Sequence, residues 1–320
     1  MVKQGMECTF PILLFLMKFS FISTLFLSIL LLPHVAKSDG WTQPKGQLFA
    51  KFYAGTMLAS SYRNLNTDSE FYKLDTRDTL NYPNGRRYAT ELSGFLTGLY
   101  AEYGLSDDFT LLLDVPFGHF ALHEVYSSNQ IVVDGETKYE ASITQFPYFG
   151  LGTRWKMSVG KSVTSLSLMM RIPPGFHNGV ANDPHEFLSD GAMQVLGGLE
   201  FGLPFKDGWM VSTLKYNHRF EDLQDELAFH VEAGSKKIPN TFIKIYGDLL
   251  QSMGSFSSVG DFNPRRSILQ ENYLAAGASF GFQVAENWYL DLDYSARFTG
   301  KNTWNIGTFA IGLSATIPEL

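Results

Sequence analysis

From residue 46 onward, apolar and polar side chains alternate in stretches of roughly ten to fifteen residues, each cut off by turn chemistry. The stretch after Asp108 shows the pattern clearly. Phe109, Leu111, Leu113, Val115 and Phe117 share one parity, while Thr110, Leu112, Asp114, Pro116 and Gly118 share the other. A period of two places the two sets on opposite faces of a strand. Twelve strands are expected, at 46–58, 88–103, 109–121, 141–157, 162–172, 191–203, 209–220, 225–233, 241–251, 272–284, 287–298 and 304–316.

The connections alternate as well. Those after the second, fourth, sixth, eighth and tenth segments are short: GLSDD, SVGK, PFKDG, GSKKIPN and AEN. Those after the first, third, fifth and ninth are long, at 59–87, 122–140, 173–190 and 252–271, and are rich in Asn, Asp, Ser, Gly and Pro. Two more on the long side, EDLQD and GKNT, are brief. Short turns at one end and longer loops at the other are the layout of an outer-membrane barrel. A soluble β-sandwich has no need of that asymmetry.

The parity of the charges decides which face points where. Glu102, Asp114, Arg154, Lys156, Glu200, Lys215, Arg219, His230, Glu232, Lys244, Asp248, Asp291, Asp293 and Arg297 fall opposite the apolar parity of their segments, and Arg171 extends the same charged wall. A charge facing acyl chains at mid-membrane costs about 2–4 kcal/mol. The charged face therefore turns inward and the apolar face outward. The expected fold is all-β, a transmembrane antiparallel β-barrel of about twelve strands, with short periplasmic turns and longer extracellular loops. Tyr103, Phe109, Trp155, Phe201, Trp209, Phe282 and Trp288 are expected on the outward parity, and each lies within a few residues of a short turn. Aromatics collected at one end are expected to form an interfacial girdle at the periplasmic rim.

The N-terminus is of another kind. Met17-Lys18 precedes the apolar run FSFISTLFLSILLL, and PHVAKSDGW follows it. A basic flank, an apolar run and small residues at Ala36 and Ser38 read as a cleavable signal peptide over 1–38, with the cut expected before Asp39; a transmembrane anchor is the alternative. The leader is complete from Met17, which makes Met17 a second candidate start. The domain division expected is thus leader, 1–38, and one barrel domain, 39–320. The one cysteine, Cys8, lies in the leader, so the barrel domain has no disulfide, thiol nucleophile or cysteine metal site. Net charge is −7 and mean hydropathy −0.05. An acidic exported chain argues against nucleic acid as a partner.

The stretches GWTQPKGQLFAKF, YAEYGLSDDFTLLLDVPF, FGLGTRWKM followed by SLSLMMRIPPG, and YSARFTGKNTWNIGTFAIGLS occur in this order. Together they resemble the bacterial outer-membrane barrel family of phenol meta-pathway-type transporters, over most of residues 40–316. RIPPG resembles that family's strand-end Leu-Pro-x-Gly, and GKNT its last hairpin. The resemblance implies a barrel that takes up aromatic or other hydrophobic compounds. None of these motifs is a ligand-binding residue. Many such barrels end on an aromatic residue read by the assembly machinery, whereas this chain ends SATIPEL with Phe309 its last aromatic.

Candidate chemistry is sparse. Arg154, Lys156, Arg171, Lys215 and Arg219 fall on the fourth, fifth and seventh segments, with Glu200 on the sixth, and Asp291 and Asp293 across the barrel. Opposed walls of this kind would orient polar solutes in a lumen; a salt-bridge network filling that lumen is the competing reading. His177, and His119 and His123 with Ser127 nearby, lack the Ser-His spacing of a lipid hydrolase on a strand. Asp68, Glu70, Asp75 and Asp78 fit no EF-hand spacing. GGLEFG and GASFGFQ keep strand parity and precede no helix, so they are not phosphate loops. No catalytic residue, metal or cofactor is expected. The expected function is a passive channel for small molecules, with hydrophobic or aromatic solutes implied by the resemblance. A lipid-modifying barrel enzyme and a structural or adhesion barrel stay open as alternatives. Expected partners are outer-membrane lipid and lipopolysaccharide, the barrel-assembly machinery and a small-molecule solute.

Overall fold

The structure is a computed structural model and describes residues 41–63, 72–73, 86–128, 137–158, 162–174, 192–220, 223–253, 271–301 and 303–318. The leader, and with it the expected cleavage site, lies outside the described residues, as do His177 and the acidic loop residues Asp68, Glu70, Asp75 and Asp78.

The strands are β1 (Leu48–Arg63), β2 (Tyr72–Lys73), β3 (Arg86–Ser106), β4 (Phe109–Ser128), β5 (Thr137–Gln145), β6 (Phe149–Lys156) and β7 (Val163–Ile172). They continue as β8 (Gln194–Phe205), β9 (Gly208–Arg219), β10 (Glu226–Ser235), β11 (Thr241–Ser252), β12 (Asn272–Ala285), β13 (Trp288–Lys301) and β14 (Thr303–Ile317). Each pairs antiparallel with its sequence neighbour around the wall, and β14 returns to β1 from Leu48↔Ile317 to Arg63↔Thr303. The sheet is closed, and among the described residues every wall strand but β5, which pairs with β4 alone, has partners on both sides, as a span through hydrocarbon requires.

Two short elements reconcile fourteen strands with twelve expected segments. β2 is a brief excursion paired with the tip of β1. β5 and β6 are one wall strand broken at Phe146-Pro147-Tyr148, and both pair with β4. Pro147 has no N–H to give a ladder and fixes its own φ, which explains the break. Outside the break, the Phe146 ring stands 5.3 Å from Phe149 and 5.0 Å from Phe117.

All twelve segments are present. The differences lie toward the long-loop end, where β1, β3, β4 and β13 run further than the alternation suggests. Sequences such as RRY at 86–88 and YSS at 126–128 keep no apolar face. A strand standing clear of the hydrocarbon needs its ladder bonds and no such face, so hydropathy under-reads its length. At the other end the turns are tight. Asp107–Asp108, Lys206–Asp207 and Glu286–Asn287 each join two strands through two residues. Asn287 adopts φ 62°, the left-handed conformation that asparagine tolerates better than most side chains.

The outside of the wall is apolar all the way round. Phe52, Leu99, Leu111, Leu151, Leu168, Leu199, Leu214, Phe229, Ile245, Phe280, Leu292 and Ile311 are exposed, at least one from every wall strand. The buried set is correspondingly polar, with Glu102, Thr110, Arg154, Ser165, Glu200, Arg219, Glu232 and Asp291 among it. This inversion of a soluble protein is what a lipid solvent demands. Leu292→Arg, on the outer face of β13, is expected to destabilise the folded barrel by about 2–4 kcal/mol in lipid, the cost of a lipid-facing charge near mid-membrane. Denaturant unfolding in vesicles measures it.

Candidate functional site

The interior is built from side chains that meet across the wall's curvature. Glu102 stands on β3, Arg154 on β6 and Glu200 on β8, and no two of these strands are neighbours. Inward side chains converge on the concave face of a barrel, so the three reach one another only there. Arg154 Nη1 donates to Glu102 Oε1 at 2.8 Å, and Arg154 Nε donates to Glu200 Oε2 at 2.8 Å. All three are buried. Glu102 also accepts from the Tyr100 hydroxyl at 2.6 Å. A fork of planar donors shared by two carboxylates is a geometry that arginine provides and lysine does not.

Residues 41–47 add a second layer. Ahead of β1 the chain turns into the barrel at the short-turn end. Gln43 donates from its backbone N–H to Thr110 Oγ1 at 2.8 Å and from Nε2 to Glu102 Oε2 at 2.7 Å. The Trp41 carbonyl accepts from Arg154 Nη1 at 3.4 Å. Trp41, like Phe242, packs against the Trp209 and Val211 cluster on the far side of the lumen, so the segment crosses the barrel end. Two glycines make room for it. A Cβ on Gly104 would stand 2.0 Å from the Pro44 carbonyl oxygen, and one on Gly202 would stand 3.0 Å from the Trp41 ring. The sequence reading did not identify this segment. Trp41 and Pro44 between a leader and a strand were the available signal, and they name no face.

The other expected lumen charges fall into two groups. Most are matched. Lys244 Nζ lies 3.1 Å from Glu232, Asp291 is 2.8 Å from Lys51, and Arg219 is 3.1 Å from Glu226. Arg297 pairs with Glu271 and sits 3.9 Å over the Tyr273 ring. Lys156 lies 3.4 Å from Asp108, which ties it to the short turn at the mouth. Asp114 and Asp293 are held by hydroxyls instead, from Tyr148 at 2.8 Å and from Tyr246 at 2.6 Å. Arg171 and Lys215 form the second group. Arg171 stacks 4.4 Å over the Tyr148 ring and its buried Nε has no acceptor among the described residues. Lys215 is open to the interior. The opposed walls expected from sequence are thus largely neutralised by local pairing, with Lys51 and Glu226 supplying counter-charges.

One expected girdle residue is placed differently. Trp155 and Trp288 are exposed on the outside, and Tyr103 and Phe109 are half-buried at the same rim. Trp209 points inward, is buried, and donates Nε1–H to Glu232 at 2.7 Å. It shares the parity of Lys215 and Arg219, and that period outweighs its nearness to a turn. Trp209→Phe keeps most of the ring and removes the donor. It is expected to cost about 1.5–3 kcal/mol, the range for a hydrogen bond to a charged group, measured as a shift in denaturant midpoint at unchanged slope.

A cavity of about 360 Å³ lies in the interior beside this network, bounded by Tyr100, Arg154, Glu200, Lys215, His230 and Tyr273. His230 Nδ1 and Asp248 Oδ1 are 2.7 Å apart at its edge. A larger trough of about 680 Å³ lies between Leu168 and Leu214 on the outer surface and faces acyl chains. Among the described residues no group of three metal-ligating side chains occurs. The His119 ring bonds Thr144 Oγ1 at 2.6 Å. At the long-loop rim, the Tyr216 hydroxyl, the Arg219 amide and His218 hold the Asp225 carboxyl below its usual range, the hydroxyl being the main cause. That latch closes the β9–β10 hairpin.

No protein-family model matches the chain, and no curated protein matches its sequence. Solved structures do match. An outer membrane channel from Pseudomonas putida F1 superposes with a TM-score of 0.60 at 9% identity, covering 89% of this chain and 100% of that one. The NanC porin matches with a TM-score of 0.46 at 6% identity, over 83% of this chain and 98% of that one. The translocator domain of the autotransporter NalP from Neisseria meningitidis matches at 0.40 and 8% identity, over 83% and 88%. The first likeness shows a shared fold, that of an outer-membrane β-barrel.

Proposed function

We propose that this chain is a passive channel of the bacterial outer membrane for small, hydrophobic or aromatic molecules, and that it belongs with the phenol meta-pathway-type transporters. The observation that carries the reading is the lumen itself. Under a continuous apolar belt lies a polar interior with a cavity walled in part by Tyr100 and Tyr273, shut at one end by residues 41–47. A filled structural barrel has no use for a segment that seals an exit. The likeness to the P. putida channel supports the same reading.

In this account a solute enters from the long-loop side and lodges among the tyrosines. It leaves at the short-turn end once the Trp41–Gln47 segment gives way. The protein acts without chemical turnover. Arg154 is the post that holds both the wall carboxylates and the segment, since it bonds Glu102, Glu200 and the Trp41 carbonyl. Residues 1–38 serve as the export leader, the assembly machinery inserts the barrel, and lipid and lipopolysaccharide contact its belt.

The test is uptake of radiolabelled benzyl alcohol by vesicles whose outer leaflet is lipopolysaccharide, a leaflet that resists apolar solutes. Vesicles holding the refolded protein are expected to fill several-fold faster than empty ones. Equal rates, with the barrel shown to be folded, would reject the proposal.

A further inference from the structure

We propose that the lumen cavity is an oxyanion site, that it takes a carboxylate carried on a small apolar body, and that Lys215 is the residue that receives the carboxylate. This rests on the channel reading and names its solute class more narrowly.

The charge pattern around the cavity carries the inference. Its carboxylates already have donors. Glu200 holds Arg154, Glu232 holds Trp209 and Lys244, and Asp248 holds His230. Arg154 in turn is shared by two carboxylates. Lys215 lines the same cavity and has no ion pair or hydrogen bond among the described residues. An ammonium that opens onto a confined cavity, with its carboxylate neighbours bonded elsewhere, keeps donors for an acceptor that enters, and a charge-assisted bond is the stronger kind. A direct acceptor for Lys215 is therefore what an entering solute supplies.

The local backbone keeps this position open. Gly198 lies beside Lys215 in the β8–β9 ladder. A Cβ there would stand 3.3 Å from Lys215 Cγ and 2.4 Å from Ser167 Oγ. Glycine thus leaves the lysine stem its room and leaves Ser167 uncovered. The walls fit the rest of such a molecule. Tyr100 and Tyr273 offer ring surfaces, and Ala228 and Leu250 offer aliphatic ones. About 360 Å³ lies within the size range of small-ligand sites. Arg171, on β7 toward the long-loop end, is a second cation without a carboxylate partner among the described residues and stands on the same side of the barrel. It forms an outer station on an anion's way to Lys215.

The test is calorimetric binding to the refolded protein in lipid nanodiscs, with benzoate as the probe and benzyl alcohol as its neutral counterpart. Wild type is expected to bind benzoate about tenfold or more tightly than benzyl alcohol, the factor a charge-assisted hydrogen bond supplies. Lys215→Met is expected to erase that preference, and Lys215→Arg to keep it. Equal affinities in the wild type overturn the inference whether or not the Met variant folds. So does a folded Met variant that still prefers benzoate. The two readings separate cleanly. Vesicle uptake of benzyl alcohol with no benzoate preference overturns the anion site and leaves the channel standing. Benzoate preference lost in Lys215→Met, with no uptake of either solute, upholds the site and removes the channel.

Discussion

Arg154→Met is expected to lower the barrel's unfolding free energy by about 3–5 kcal/mol, the usual cost of removing one member of a buried ion pair. The reason is what stays behind. Glu102 is 1% exposed and Glu200 4% exposed, and each loses its only cationic bond among the described residues. Glu102 keeps the Tyr100 hydroxyl and the Gln43 amide, which hold the loss toward the lower end of the range. Among the described residues, Glu200 keeps no side-chain hydrogen bond. The damage comes from stranded charge and only slightly from lost packing. The matched triple Glu102→Gln, Arg154→Met, Glu200→Gln is therefore expected to recover most of the loss. Guanidinium unfolding followed by circular dichroism reads both variants. A single variant as stable as wild type would mean that lumen water already screens the trio.

Deleting residues 41–46 is expected to raise single-channel conductance several-fold while leaving the barrel folded. The segment is fastened by polar contacts to Thr110, Glu102, Arg154, Asp107 and the Gly104 carbonyl, and by Trp41 against Trp209 and Val211. None of its residues belongs to the wall, since β1 begins at Leu48 and closes the sheet with β14 without them. Removal takes away a crossbar and leaves every ladder intact. Planar-bilayer recording measures the change. Unchanged conductance would place the narrowest point elsewhere in the lumen.

The wall was legible because a period of two is a strong signal when one face must meet lipid. A single parity puts Lys215 and Arg219 inside and Leu214 outside, and the structure agrees. Trp209 is expected on the outward face with the other girdle aromatics, yet it shares the parity of Lys215 and Arg219 and stands buried against Glu232. The break at Pro147 was hidden because reading 141–157 as one strand assumes a constant parity, whereas the register against β4 slips by one residue there, from Gly118↔Gln145 to Asp114↔Gly150. The cross-barrel bonds could not be foreseen. Which inward residues meet depends on stagger between strands that are not neighbours, as with Tyr246 on β11 and Asp293 on β13. Period fixes a face and says nothing about that offset. Residues 41–47 carry no alternation at all, and their place follows only from partners on β3, β4, β6 and β9.

The central claim is that solutes pass through this lumen and that residues 41–47 control the exit. The most direct test locks the segment in place within one protein. Gln43→Cys with Thr110→Cys puts one thiol on the segment and one on β4, where the Gln43 backbone N–H bonds the Thr110 hydroxyl at 2.8 Å, and the chain's own cysteine, Cys8, lies in the proposed leader. A disulfide between them fixes the segment to β4 without changing the wall. In a planar bilayer, the reduced protein is expected to conduct, the oxidised protein to fall to the bare-membrane baseline, and added reductant to restore the current. No current in the reduced state, or the same current in both, would contradict the account.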